Sequence, residues 1–184
     1  MKEQKQIAKN YSQALFELGN NDLNLQESFL NELEIINESI SQVKDAKKVF
    51  ENPGITKDEK KELIKKLFFG KTNQKILNFL FLLIDKQRFN LLPEIQNHLI
   101  TLVNQKRGIL IAEVYSPQEI DGSMAKTIVE TLRRSISTTN DIKEIKINQR
   151  IDSSLIGGLK IKINDLVYDG TIKGRLENLK RRLG

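Results

Sequence analysis

The spacing of apolar positions changes character along this chain, and the change marks how it is organised. Ile7, Ala8, Tyr11, Ala14, Leu15 and Leu18 recur at three- and four-residue intervals, which predicts a helix over residues 4–18 ended by Gly19 and Asn20. Leu25, Phe29, Leu33, Ile36, Ile40 and Val43 form a second stripe opposite a face of Glu, Asn, Ser and Gln, the pattern of a helix over 24–43 with one wet side. A short helical turn at 45–50 is stopped by Asn52-Pro53-Gly54. Thr56 and Glu59 have capping-box spacing ahead of a helix that runs through Phe68, with Leu63, Ile64, Leu67 and Phe68 inward and Gly70 beyond its end. Pro93 suits the first turn of another helix, which Ile95, Leu99, Leu102 and Val103 carry to Lys106.

Inside this helical series lies ILNFLFLLI, Ile76–Ile84, within a helix expected from about Asn73 to Arg88. Only Asn78 is polar, so the run has no wet face and must be covered on every side. It is too short to span a bilayer, which takes roughly 20 apolar residues. Lys71, Lys75, Lys86 and Arg88 flank it. It is either the central helix of a bundle, or a bundle helix whose outer side is kept apolar for a partner.

After Gly108 the period shifts from helical to alternating. Ile109–Tyr115, 142–151 and Leu159–Ile163 read as strands, the last with Ile161 and Ile163 alternating with Lys160 and Lys162. Asn164-Asp165 suits a hairpin turn back through Leu166–Tyr168. One helix, 122–137, presents Met124, Ile128, Val129, Leu132 and Ile136; another follows Asp169-Gly170-Thr171 with Ile172, Leu176, Leu179 and Leu183 inward. The fold class is therefore α+β: an all-helical part, residues 1–106, and a small α/β part with a mixed sheet, residues 107–184.

Composition narrows the chemistry. There is no cysteine and a single histidine, His98, so disulfides and thiolate metal sites are excluded, and His98 reads as a surface residue. The first residues are charged and periodic, which argues against a secretory signal or a transit peptide. The net charge of +6 is spread out except at the end, where Lys173, Arg175, Lys180, Arg181 and Arg182 crowd together. Such an end suits a nucleic acid, an anionic membrane surface, an acidic protein partner or the helix's own dipole; without interleaved aromatics for base stacking, the dipole or an acidic protein partner is favoured. Gly70-Lys71-Thr72 lacks both the earlier glycine and the preceding strand of a phosphate loop, because Lys65 stands where that glycine is needed. Gly157-Gly158 has no third glycine of a dinucleotide fingerprint and suits a bulge or a close backbone approach. Ser153-Ser154 has no histidine near it, and Asp152, Asp165 and Asp169 sit at turns. No catalytic constellation and no cofactor site emerges, which favours a binding or structural protein over an enzyme.

The stretch IDSSLIGGLKIKINDLVYDGTIKGRLENLKRRL is specific. Through Asp152, Leu155-Ile156-Gly157-Gly158, Asp169-Gly170-Thr171, Leu176 and Leu179 it resembles the C-terminal signature of the delta-subunit family of F-type ATP synthases, the family of the mitochondrial oligomycin-sensitivity-conferring protein. Tyr11, Ala14, Leu15 and Phe16 are similar to that family's first helix, and RFNLLP, Arg88–Pro93, to its junction between the fifth and sixth helices. The resemblance implies an N-terminal six-helix bundle, a small C-terminal α/β domain and a non-catalytic stator role. In that role the subunit joins the alpha/beta catalytic head to the peripheral stalk. The bundle would take the N-terminal helix of an alpha subunit in a groove between the first and fifth helices, using Tyr11, Ala14, Leu15, Leu18, Asn78, Phe79, Leu82, Leu83 and Asp85. Within the apolar run, Leu77, Leu80, Phe81 and Ile84 would then face the bundle and Asn78, Phe79, Leu82 and Leu83 the partner. The C-terminal domain would hold b-type stalk subunits, with Leu176, Leu179 and Arg181 as candidate contacts. Membrane association would be indirect, through the complex. The location implied is the cytoplasmic side of a bacterial plasma or thylakoid membrane, or the stromal side of a plastid thylakoid. The alternative is a small basic nucleic-acid-binding protein using its C-terminal helix.

Overall fold

The computed structural model describes residues 2–43, 46–136, 142–164 and 166–174. Contacts divide the chain into two units, residues 1–103 and 104–184. The described elements make an α+β protein with a mixed four-stranded sheet.

The first unit contains α1 (Lys2–Glu17), α2 (Leu23–Gln42), α3 (Ala46–Glu51), α4 (Lys57–Phe68), α5 (Gln74–Asp85), a 3₁₀ turn (Phe89–Leu91) and most of α6 (Leu92–Arg107). Local chemistry fixes the ends of these helices. Asp22 caps α2 by accepting from the amides of Asn24 and Leu25. The capping box of α4 closes in both directions: Thr56 N donates to Glu59 Oε2 at 2.8 Å, and Glu59 N to Thr56 Oγ1 at 3.3 Å. Gly70, with φ +73°, turns the chain after α4 at no steric cost. Asn73 then caps α5, and its own amide donates to Glu32 on α2 at 2.7 Å, which fixes where α5 begins.

One apolar cluster draws on every helix of this unit, and α5 supplies most to it: Ile76, Leu77, Phe79, Leu80, Leu83 and Ile84 are buried. Leu80 meets no solvent, whereas Leu82 is 43% exposed. This corrects the expected division of the run. Phe79 and Leu83 belong to the core, while Phe81 is half-buried beneath the Lys65 ammonium, 5.6 Å from its ring centroid. Leu15 likewise lies wholly in the core, with Ala14 beside it facing water. Asn78, the one polar residue of the run, is exposed together with Leu82 one turn on, whereas Phe79 and Leu83, about 100° and 140° round the helix from it, turn inward. Leu67 and Val43, expected inward, are also exposed.

The second unit pairs β1 (Ile109–Ser116) in parallel with β2 (Glu144–Ile151), the two joined through α7 (Gly122–Ile136). β3 (Lys160–Ile163) and β4 (Leu166–Asp169) add antiparallel, giving the order β2-β1-β3-β4. Leu110, Ala112, Val114, Ile145 and Ile163 share a core with Ile128 and Leu132 of α7. Gly108, φ +75°, marks the change of period, and its carbonyl accepts from the amides of Lys143 and Glu144 where β2 begins. Ile163 pairs with Leu166, and Asn164 after it has φ +52°; the other residue of the expected turn, Asp165, lies outside the described residues. Met124 and Ile172, expected inward, are nearly half exposed. Leu176, Leu179 and Leu183 lie outside the described residues.

Two substitutions within one helix test this division. Leu80→Ala should lower unfolding stability by about 2–5 kcal/mol, through lost burial and a cavity, and Leu82→Ala by less than about 0.5 kcal/mol. Urea unfolding of the two variants side by side reads the difference.

Candidate functional site

The antiparallel seam of α1 and α5 is built from contacts at three levels. At one end Lys75 Nζ donates to the carbonyl of Leu18 at 3.0 Å. In the middle Tyr11 meets Phe79 edge to face, with ring centroids 6.1 Å apart and planes at 75°. At the other end Arg88 Nη1 donates to the Tyr11 hydroxyl at 3.3 Å. The turn between α1 and α2 is tied down as well: Gln26, buried, donates through Nε2 to the Phe16 carbonyl at 2.9 Å.

Outward from this seam the side chains sort clearly. Ala14 on α1 and Leu18 just past its end, and Asn78 and Leu82 on α5, face solvent, each pair four residues apart. Leu18 is 45% exposed and Leu82 43%. Tyr11 is half-buried, its ring in the core and its hydroxyl held by Arg88. Asp85 is exposed at the C-terminal end of α5, with Lys61 Nζ 2.6 Å from its carboxylate. Of the nine residues expected to line a groove, Tyr11, Ala14, Leu18, Asn78, Leu82 and Asp85 reach the surface. Leu15, Leu83 and the mostly buried Phe79 support it from beneath. The result is an apolar strip of small and aliphatic residues with one amide on its face and charges at its ends.

Sequence reading missed Arg88 as part of this site. It follows the left-handed Gln87, φ +54°, and its amide donates to Leu83 O at 2.8 Å. This six-to-one bond ends α5 abruptly and returns the chain toward α1. The link from Arg88 to Tyr11 spans 77 residues, so no local pattern reports it.

The signature residues of the second unit converge on one loop. Asp152 Oδ1 accepts from the amide and hydroxyl of Ser154 at 3.0 and 2.6 Å. Asp169 Oδ1 does the same for Thr171 at 2.9 and 2.7 Å, and Thr171 Oγ1 in turn accepts from the amide of Gly174 at 3.0 Å. Gly158, φ +84°, lies where a Cβ would stand 2.5 Å from the Gly170 carbonyl oxygen. The Ile172 amide donates to Gly157 O at 3.1 Å. The glycine pair is therefore a close backbone approach that seats the segment from 169 to 174. Leu155 is half-buried, and Ile156 is 79% exposed. The candidate stalk contacts Leu176, Leu179 and Arg181 lie outside the described residues.

The carboxyls of Asp152 and Asp169 are both held below the ordinary aspartate value, first by the Ser154 and Thr171 hydroxyls, then by those residues' amides, with Lys160 adding a smaller attraction. Their depressed values mean that the bonds add stability above pH about 4 and lose it as pH falls through the folded-state values. His98 is half-buried in α6. Among the described residues no group of three or more histidines and carboxylates is placed to hold a metal ion, and no helix is long and apolar enough to cross a membrane.

The chain matches the family model described as ATP synthase delta (OSCP) subunit over residues 7–183. It is 36% identical over 177 residues to the ATP synthase subunit delta of Desulforamulus reducens, covering 96% of this chain and 94% of that one. It is equally similar to the Carboxydothermus hydrogenoformans protein of the same name, at 36% over 177 residues and 96% of both chains. Its fold is similar to a chain in the cryo-EM structure of the Toxoplasma gondii mitochondrial ATP synthase hexamer, with TM-score 0.71, 14% identity and 96% of both chains covered.

Gly158→Ala should destabilise the second unit, because the added Cβ meets backbone in a left-handed conformation. Asp169→Asn should lower thermal stability at pH 7, with the difference from wild type shrinking below pH 4. Thermal scans across pH, followed by a probe in the second unit, measure both.

Proposed function

The chain belongs to the ATP synthase delta (OSCP) subunit family, and on that premise we propose that its first unit clasps the N-terminal helix of an alpha subunit along α1 and α5 while its second unit holds the b-type peripheral stalk. It is a delta subunit of an F-type ATP synthase and a component of the peripheral stalk. The finer reading is a joint, with the six-helix packing of the family around α5. The joint carries no reaction of its own and keeps the alpha/beta head from turning with the rotor, so that torque drives ATP synthesis.

The observation that carries the groove is the exposure of Leu18 and Leu82 beside Ala14, on a seam already rigid beneath. Burying two leucines under a partner helix contributes about 1.5–3 kcal/mol each. Small Ala14 lets a helix approach closely. A stator joint under load needs slow release, which a desolvated apolar strip with a polar rim supplies. For the stalk, the supporting feature is β4, an edge strand on which Leu166, Val167 and Tyr168 are all exposed; an apolar edge of this kind calls for a cover. Attachment through these partners would hold the chain at the membrane from the side of the catalytic head, cytoplasmic in a bacterium or stromal in a plastid.

Ala14→Asp should weaken binding of an alpha-subunit N-terminal peptide by about tenfold or more without unfolding the chain, because Ala14 faces water in the free protein. Calorimetric titration of the full chain, with circular dichroism as the folding control, measures it. Unchanged affinity in a folded variant would falsify the groove assignment.

A further inference from the structure

Arg88 stands at the end of the seam in an unusual state. It is half-buried, and its guanidinium carbon lies 5.8 Å from the centroid of the Tyr11 ring. One Nη1 donor reaches the Tyr11 hydroxyl at 3.3 Å, and among the described residues no carboxylate pairs with it. A guanidinium carries five N–H donors in a planar fork suited to a carboxylate. The acid near it in sequence, Asp85, is engaged by Lys61 Nζ at 2.6 Å. At the opposite end of the strip the cation Lys75 is already committed to a backbone carbonyl. The remaining donors of Arg88 have no partner among the described residues. A helix laid along α1 and α5 that covered them without supplying an acceptor would leave donors unsatisfied and oppose docking.

We propose that Arg88 is the anion anchor of the α1–α5 groove, taking through its fork a carboxylate carried by the docked amphipathic helix and thereby fixing that helix's register. The assignment rests on the groove reading given above and adds to it the chemistry of the partner: an aliphatic stripe with an aspartate or glutamate placed at the Arg88 end. The placement of the fork is built in. The left-handed Gln87 and the bond from the Arg88 amide to Leu83 O fix the backbone from which the side chain reaches Tyr11, where one guanidinium donor meets the hydroxyl and the guanidinium carbon lies 5.8 Å from the ring centroid.

The test is a mutant cycle by calorimetric titration. The full chain and its Arg88→Gln and Arg88→Lys variants are each titrated with a synthetic peptide of the alpha-subunit N-terminus from the same genome. The peptide is used intact and with each carboxylate in turn replaced by its amide. One carboxylate should matter about tenfold or more to the wild-type chain and hardly at all to Arg88→Gln. Arg88→Lys should fall between, and the affinity of wild type should weaken more steeply with salt than that of Arg88→Gln. If every amide replacement costs the same in wild type and Arg88→Gln, or costs nothing in wild type, the anchor is overturned while the groove stands. The wild-type arm decides this even where Arg88→Gln fails to fold. A wild-type chain that does not bind the intact peptide overturns groove and anchor together.

Discussion

Ile76, Leu80 and Leu83 lie wholly out of water on one helix, and the helical unit is packed around that burial. The core they share draws on every other helix of the unit, from Ala8 and Leu15 on α1 to Ile95, Leu99 and Val103 on α6. Polar contacts then set where α5 starts and stops. Asn73 and Glu32 fix its beginning, and the left-handed Gln87 with the Arg88 amide fixes its end. Because both ends are pinned and the inner side is filled, what α5 shows to solvent is small and well defined.

Under the proposed reading, that outer remainder gives the unit its use. Once the core has taken six residues of the run, Leu82 and Asn78 are left on the open side, as are Ala14 on α1 and Leu18 just past its end. The same packing that stabilises the unit holds the strip in place, so that under this proposal a partner helix would meet a surface already ordered. Tyr11 joins the two roles. Its ring lies against Phe79, and its hydroxyl receives the cation that ends the seam. In the second unit an analogous economy applies, with the glycine pair serving as a seat for the chain from Asp169 onward.

Periodicity in the sequence was enough to place the helices among the described residues up to 136, the Thr56 capping box and the strands, because each depends on residues a few positions apart. It did not suffice to orient α5. Residues 78, 79, 82 and 83 span about 140° of a helix, and the single polar marker, Asn78, sits at one edge of that arc, so it does not fix how far the outer side extends. The structure buries Phe79 and Leu83 and leaves Leu82 out, and in the same way buries Leu15 while Ala14 faces water. Arg88 was legible only as part of the RFNLLP junction, since its partner Tyr11 comes from the far end of the helical unit. For the signature glycines the sequence leaves a bulge and a close approach both open; that Gly158 closely approaches Gly170 and Thr171 is evident only in three dimensions.

Hydrogen exchange of the full chain, free and bound to the alpha/beta catalytic head, tests the central claim most directly. The account predicts that binding slows exchange at the amides of residues 11–18 and 75–88, with lesser change on the outer face of α2. Protection that falls elsewhere in the helical unit, with α1 and α5 exchanging as fast in the complex as in the free chain, would contradict it.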